Sequence, residues 1–219
     1  MIELLFTNPI AFFGWLLAFL IAVMAHENMH GLAALKNGDP TAKYSGRMNF
    51  NPLNHFDLTG LLMCLFLGFG YAKPVPVDPR NFENYKKGMI EVSLAGVITN
   101  LLMAFFAYPL FVLAQRYVPD LLLFDDLLMY FLSYLVLIDV WLAIFNLLPI
   151  YPLDGFRIVE IFAPRSKYVR FMRRYSTYVM LAYVLLTFVG GRFGVNLNIV
   201  SYLGSYVFGG ISYVWGLIL

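Results

Sequence analysis

The segment from Pro9 to Ala25 contains no charged residue, and the polar sequence HENMHG follows it directly at residues 26–31. An ionisable group at the end of so long an apolar helix is costly in a bilayer unless it binds something. Residues four apart lie on one face of a helix, so His26 and His30 can direct two imidazole nitrogens at one metal ion. Glu27 would then lie beside the open metal position and accept a proton from water. The alternative is a polar, interfacial end of a membrane helix without a ligand.

The composition of the chain predicts a membrane protein. Of its 219 residues 61% are hydrophobic and only 13% are charged, and the mean hydropathy is +0.73. Such values are typical of an all-α polytopic protein in which nearly every residue is needed for the spans. We therefore predict a single domain over residues 1–219. The single cysteine, Cys64, excludes an intrachain disulfide and a cysteine-based zinc cluster, and no basic pattern indicates nucleic-acid binding.

Long apolar segments predict about five full crossings of the membrane. They lie at about Pro9–Lys36, Met89–Ala114, Leu121–Leu148, Phe171–Val189 and Ile199–Leu219. The first three belong to a predicted catalytic core at about residues 9–160, and the last two form the C-terminal helices, at about 171–219. Leu58–Tyr71 is apolar but short for a crossing, which favours a re-entrant, half-depth segment. If it does cross, there are six transmembrane helices.

Two segments predict a short membrane-associated β-hairpin or sheet. Thr41–Pro52 contains Lys43 and Arg47 and is typical of a strand or hairpin arm at the membrane surface. Phe69–Pro79 contains prolines that exclude a helix but allow an extended edge strand. An exposed edge strand near a metal site can pair with a second strand.

The basic residues indicate the orientation of the chain. By the positive-inside rule the three basic regions are cytoplasmic, and the acidic turn at Gln115–Asp126 faces outward. His26, His30 and Asp154 are then all near the cytoplasmic side. The basic residues concerned are Lys36, Lys43, Arg47, Lys73, Arg80, Lys86, Lys87, Arg157, Arg165, Lys167, Arg170, Arg173 and Arg174.

A carboxylate late in the chain is the candidate third ligand. Pro149 and Pro152 break the helix before Asp154, and irregular backbone at membrane depth is tolerated where it lines a polar cavity. Two histidines, one aspartate and a water complete a four-coordinate catalytic zinc site. The alternative is that Asp154 and Gly155 form an ordinary turn that caps the next helix.

These residues resemble the site-2 protease family of intramembrane zinc metalloproteases. The resemblance extends over roughly residues 20–160. The chain looks like the small bacterial members of the family, which lack PDZ and CBS domains. Members often have Leu-Gly where this chain has Asn28-Met29, and Pro where it has Val97. The matching motifs are HExxH at residues 26–30, DPTA at 39–42, GYAKPVPV at 70–77, GxxxN at 96–100 and NxxPxxPLDG at 146–155.

The resemblance implies one zinc ion per chain, bound by His26, His30 and Asp154, with Glu27 as the general base and acid. It also implies that residues 70–77 hold an unwound substrate, with Gly70, Tyr71, Ala72 and Lys73 as candidate substrate-binding residues. The expected location is the bacterial cell membrane, as an integral multi-pass protein. The expected partners are transmembrane protein substrates and membrane lipid.

Four further polar positions have two interpretations each. Asn100 and Asn146 contact substrate or the oxyanion, or they form interhelical hydrogen bonds. Asp139 is hydrogen-bonded to a ligand histidine, or it pairs with another helix. His55 is a proton relay or metal ligand, or an ordinary interfacial loop residue.

Two functions are therefore compared. The first is an intramembrane zinc endopeptidase that cuts transmembrane segments near the cytoplasmic face. The second is a membrane metal carrier or metal-dependent scaffold that uses the same His, His and Asp site without hydrolysis. A carrier needs neither Glu27 nor an exposed edge strand, so the sequence favours the protease.

Overall fold

The computed structural model describes residues 2–56, 58–67, 72–117, 123–192 and 198–219. The described residues are predominantly helical. The helices are α1 (Ile2–Thr7), α2 (Pro9–Lys36), α3 (Thr41–Tyr44), α4 (Pro52–His55), α5 (Leu58–Leu67), α6 (Tyr85–Tyr117), α7 (Leu123–Leu147), α8 (Asp154–Phe162), α9 (Lys167–Arg192) and α10 (Ile199–Gly216).

Helices α2, α6 and α7 pack against one another and form the centre of the protein. Small side chains at their contacts let the backbones approach closely, which stabilises helix pairs in lipid. Ala22 and Ala104 are fully buried, and a Cβ added to Gly14 would lie 2.7 Å from the Cβ of Tyr130 on α7. Val140 of α7 belongs to the buried cluster that these three helices share with α10.

The same three helices are long and apolar enough to cross a membrane. Among the described residues these candidate spans are Pro9–Lys36, Tyr85–Tyr117 and Asp125–Leu147. The first agrees with the predicted segment, and α9 and α10 are helices where the last two spans were predicted. A total of five or six crossings stays a prediction.

Helix α5 lies in the segment predicted to be re-entrant. Its ten residues are about 15 Å long at about 1.5 Å per residue, half of the roughly 30 Å hydrocarbon layer. A helix of this length does not cross a membrane by itself. Residues 68–71, the end of the predicted segment, lie outside the described residues.

The prediction of a strand or hairpin arm at Thr41–Pro52 is wrong. The segment begins with α3 and continues through a turn in which Gly46 has a φ of 65°. The physical reason is local: the Asp39 carboxylate accepts a hydrogen bond from the Thr41 backbone N–H and starts a helical turn. Asp39-Pro40 is a turn signal, and the residues that follow alternate poorly between apolar and polar, so they favour a strand only weakly.

Residues 72–78 are extended, but no regular strand occurs among the described parts of the chain. One isolated antiparallel bridge joins Phe56 to Ala72. Pro74 and Pro76 lack the N–H groups that a continuous ladder needs. We call residues 72–78 the extended segment.

Side chains and loop backbone hold the extended segment in place. The Lys73 N–H donates to the His55 carbonyl at 2.7 Å, and the Arg47 guanidinium donates to the Lys73 carbonyl at 2.8 Å. Further along, the Asp78 N–H donates to Asp39 Oδ2 at 2.7 Å. The segment is therefore attached to the loop that follows α2.

Asp39 is the centre of this attachment and is fully buried. Besides the Asp78 N–H, its carboxylate accepts hydrogen bonds from the Thr41 N–H and hydroxyl and from Asn81 Nδ2. Burial alone would raise the pKa of the Asp39 carboxyl, but the hydrogen bonds from Thr41, Asn81 and Asp78 outweigh it and lower the pKa.

Asp39→Asn is expected to destabilise the protein at neutral pH by about 1–3 kcal/mol, because buried donors lose their acceptor. The pKa of Asp39 is lower in the folded than in the unfolded state, where it is about 3.9. Its carboxylate therefore contributes stability above about pH 4 and loses that contribution as the pH falls further.

The measurement is thermal unfolding in detergent between pH 7 and pH 3. The difference in melting temperature between the wild type and Asp39→Asn should be largest above about pH 4 and should decrease below it. Glu3→Gln, which alters an exposed carboxylate of α1, is the control. A difference that stays constant over the whole range would contradict the assignment.

Candidate metal centre

His26, His30 and Asp154 bring three potential ligand atoms together inside the protein. The two imidazoles are one turn apart on α2, and their Nε2 atoms are 3.0 Å apart. Asp154 Oδ2 lies 3.3 Å from Nε2 of His26 and 3.1 Å from Nε2 of His30. All three residues are buried. Residues separated by more than a hundred positions therefore meet at one point.

The hydrogen bonds on the far side of each ring determine which nitrogen is free. His30 Nδ1 lies 2.7 Å from the Val92 carbonyl, which can only accept, so Nδ1 carries the proton. His26 Nδ1 lies 2.6 Å from Asn100 Oδ1. Both Nε2 atoms then present lone pairs to Asp154, which is the tautomer that metal binding requires.

The geometry fits a divalent cation. In a tetrahedral zinc site with bonds of about 2.0–2.1 Å, neighbouring ligand atoms are about 3.3 Å apart. The three separations here are 3.0, 3.1 and 3.3 Å. Asp154 Oδ2 is buried without a hydrogen-bond partner in the described part of the chain. Three converging lone-pair atoms repel one another unless a positive charge lies between them.

Gly96 makes room for the His26 ring. A Cβ added at Gly96 would lie 2.5 Å from Cε1 of His26 and 2.6 Å from each ring nitrogen. Asn100, one turn further along α6, has no exposed surface and contacts the same ring. The GxxxN motif therefore provides both the space for the imidazole and its hydrogen-bond partner.

A helix break brings Asp154 to the histidines. Helix α7 ends at Leu147, and Asp154 is the first residue of α8. A Cβ added at Gly155 would lie 2.1 Å from the Leu147 carbonyl oxygen, so the start of α8 packs directly on the end of α7. Only glycine allows this approach, which explains the Asp-Gly pair.

Glu27 borders a small cavity beside the three atoms. Its Oε2 accepts a hydrogen bond of 2.9 Å from the Val75 N–H of the extended segment. The cavity has a volume of about 90 Å³, enough for a few waters at about 30 Å³ each. Its lining residues are His26, Glu27, His30, Pro74, Val75, Val77, Asn146, Pro152, Leu153, Asp154 and Arg157.

The candidate substrate-binding residues differ in their position relative to the cavity. Asn146 lines the cavity, and its Nδ2 donates to the Leu142 carbonyl at 3.0 Å. Asn100 lies behind His26 with its amide fully engaged in hydrogen bonds to α2 and α7, as in the interhelical interpretation. Ala72 and Lys73 belong to the extended segment but not to the cavity wall. Gly70 and Tyr71 lie outside the described residues.

One contributor to the site, Arg157, was missed from the sequence. Arg157 lines the cavity, and its Nη1 lies 4.0 Å from Asp154 Oδ1. The spacing of three residues from Asp154 on a helix was the available signal. The Val75 N–H is a backbone group, and no sequence pattern indicates its partner. His55, at the end of α4, is fully buried, and its Nε2 lies 2.6 Å from the Asn49 carbonyl oxygen.

Gly96→Ala is expected to remove most of the bound zinc from the purified protein. The added methyl group would displace the His26 ring, whereas helix propensity alone favours alanine by about 1 kcal/mol. Metal analysis of the protein purified with zinc checks this. Gly209→Ala is the matched control, because a Cβ added at this position has no atom of the described residues within 4 Å. Full zinc content in Gly96→Ala would contradict the role of Gly96.

Comparisons with known proteins identify the family of the chain. A sequence model described as peptidase family M50 matches residues 118–189. The chain is 35% identical to "Putative zinc metalloprotease YwhC" of Bacillus subtilis (strain 168) over 189 residues, which cover 86% of this chain and 80% of that protein. No solved structure matches significantly. The chain therefore belongs to peptidase family M50, the site-2 protease family, and is a metalloprotease.

Proposed function

We propose that this protein is an intramembrane zinc endopeptidase that hydrolyses peptide bonds in transmembrane segments of other proteins, near the cytoplasmic face of the membrane. The observation that carries the proposal is the convergence of His26, His30 and Asp154, with Glu27 beside them, among three helices of membrane-spanning length. Membership of a metalloprotease family supports it.

His26, His30 and Asp154 would hold one zinc ion per chain through two Nε2 atoms and Oδ2. When bound there, zinc lowers the pKa of water and polarises the substrate carbonyl. Arg157 lies beyond the other carboxylate oxygen of Asp154 and orients that carboxylate electrostatically. Asn146 is the amide of the cavity wall and is placed to contact the substrate or the developing oxyanion.

Glu27 is the proposed general base and general acid. Its carboxylate accepts a proton from the attacking water while the water oxygen forms a bond to the peptide carbon. The carbon–nitrogen bond then breaks, and Glu27 returns the proton to the leaving amine. The hydrogen bond from the Val75 N–H fixes one carboxylate oxygen and leaves the other available for water.

The substrate must be unwound to be cut. A helical backbone is protected by its own hydrogen bonds, and pairing with an extended strand replaces them. The extended segment 72–78 borders the cavity and is the surface on which an unwound substrate would lie. A cavity of about 90 Å³ does not admit a peptide, so the segment and its neighbours have to separate when substrate enters.

The arrangement of helix ends supports a cytoplasmic active site in a bacterial cell membrane. The Asn37 side chain at the end of α2 donates to Glu91 near the start of α6, and Lys87 lies 3.8 Å from the same carboxylate. Lys36 and Lys86 belong to these two helix ends. Basic residues therefore accumulate at the end of the bundle where the candidate ligands meet, as the positive-inside rule requires for a multi-pass protein with five or six spans.

A metal carrier or scaffold is the less favoured function. It would account for the three candidate ligands but not for a carboxylate that borders the cavity and is held by the Val75 N–H. Family membership also favours hydrolysis.

Glu27→Gln is expected to keep zinc and lose proteolysis by at least about 100-fold, because the amide cannot accept the proton of water. Metal content and cleavage of a reconstituted single-span protein should be measured on the same preparation. Glu160→Gln on α8, whose carboxylate pairs with Arg173 away from the cavity, is the control and should cleave normally. Unchanged proteolysis in Glu27→Gln would exclude Glu27 as the base, and a zinc-loaded wild type without any proteolysis would favour the carrier.

The position of the cut in a substrate tests the proposed orientation of the protein in the membrane. Purified protein and a single-span substrate should be co-reconstituted in vesicles, and the products should be identified by mass spectrometry. We expect a cut in the half of the substrate span that is nearer the cytoplasm, because the candidate ligands lie at the basic end of the bundle. Cuts confined to soluble parts of the substrate, or to the opposite half of the span, would contradict the proposed topology.

A further inference from the structure

Asp139 is a buried carboxylate in the middle of α7 that neither binds the metal nor lines the cavity. It has no exposed surface. Its Oδ1 accepts a hydrogen bond of 2.5 Å from Asn100 Nδ2, and its Oδ2 has no partner within the described ranges. An ionisable group at this depth is costly, so its presence calls for a specific contact that depends on it.

The contacts of Asn100 fix the direction of its amide. The Nδ2 group faces two oxygens, Oδ1 of Asp139 and the backbone carbonyl of Ala22, the latter at 3.3 Å. A backbone carbonyl and an ionised carboxylate can only accept hydrogen bonds. The NH₂ group of Asn100 must therefore point to them, and its carbonyl oxygen must point to His26.

The direction of the amide in turn fixes the tautomer of His26. Asn100 Oδ1 is an acceptor, so Nδ1 of His26 carries the proton and Nε2 keeps its lone pair for a metal. With the amide reversed, the NH₂ group would face Nδ1 and favour the opposite tautomer, with a proton on Nε2. The metal-facing atom would then be blocked.

We propose that Asp139 is a positioning residue for zinc: by accepting from Asn100, it holds the amide in the one direction that leaves His26 Nε2 free. This inference rests on the proposed zinc site. Asp139 acts through Asn100 and does not touch the metal ligands itself. Three side chains are linked in this hydrogen-bond network, and each comes from a different candidate span: His26 from α2, Asn100 from α6 and Asp139 from α7.

The two histidines differ in how they are held. His30 donates to a backbone carbonyl, that of Val92, which is part of the α6 main chain and cannot be reversed. His26 depends on a side-chain amide, which has two possible directions. This difference explains why a second group is needed on the His26 side alone.

The test measures zinc affinity of the full-length protein in detergent, by competition with a chromophoric chelator. Asp139→Leu removes the acceptor at similar volume and is expected to weaken zinc binding by about 10–100-fold. Asp139→Asn keeps an acceptor oxygen for Asn100 and should lose less than about tenfold. The visible absorption of the Co²⁺-substituted protein, which reports ligand geometry, should change in the first variant and not in the second.

A reciprocal exchange separates positioning from burial of a polar group. Asn100→Asp alone places two carboxylates side by side and should weaken zinc binding, because like charges at this distance repel. In N100D/D139N the amide lies at position 139 and donates to the carboxylate at position 100, which still accepts from His26. The double variant should therefore recover most of the affinity that Asn100→Asp loses.

Val140→Ala is the control for loss of packing, because Val140 is a buried neighbour on α7 outside the hydrogen-bond chain. It should lower thermal stability and leave zinc affinity unchanged. Wild-type affinity and Co²⁺ spectrum in Asp139→Leu, or equal losses in Asp139→Asn and Asp139→Leu, would overturn the positioning role. A wild type that binds no zinc would instead overturn the proposed zinc site, and the inference with it.

Discussion

The structure depends on keeping two imidazole nitrogens and one carboxylate oxygen within 3.0–3.3 Å of one another in the interior of a helix bundle. Without a cation these lone pairs repel, so the rest of the protein has to hold them there against both repulsion and burial cost. Hydrogen bonds to the Nδ1 atoms, on the far side of each imidazole, hold the rings: the Val92 carbonyl orients His30 and Asn100 orients His26. The helices that supply these groups, α2 and α6, pack closely against each other and against α7.

Close approach of backbones makes this arrangement possible. Gly14 allows contact between α2 and α7, Gly96 leaves space for the His26 ring, and Gly155 lets α8 begin directly on the end of α7. A methyl group at any of these glycines would meet another atom within 2.7 Å. In lipid, where apolar burial gives no preference for helix contact over lipid contact, such fits determine which helices pack together.

Much of this was predictable from sequence, because the signals were long or chemically specific. The long apolar segment predicted α2 at Pro9–Lys36, and helix spacing placed His26 and His30 on one face. The third candidate ligand followed from two prolines and the charge pattern. The prediction failed at Thr41–Pro52, where a single carboxylate, Asp39, starts a helical turn. For Asn100 the sequence left two interpretations open, because a pattern identifies a polar residue but not the partner to which its side chain turns.

The hydrogen bond between Glu27 and the Val75 N–H has a consequence for the resting enzyme. The group proposed to activate water is bound to the same segment that covers the cavity. In the proposed mechanism, a substrate that moves this segment away from α2 would also break this hydrogen bond and free the second oxygen of Glu27, so the two changes would occur together. Without substrate, only one of the two Glu27 oxygens would be free to accept a proton, and this would limit the hydrolysis of neighbouring membrane proteins.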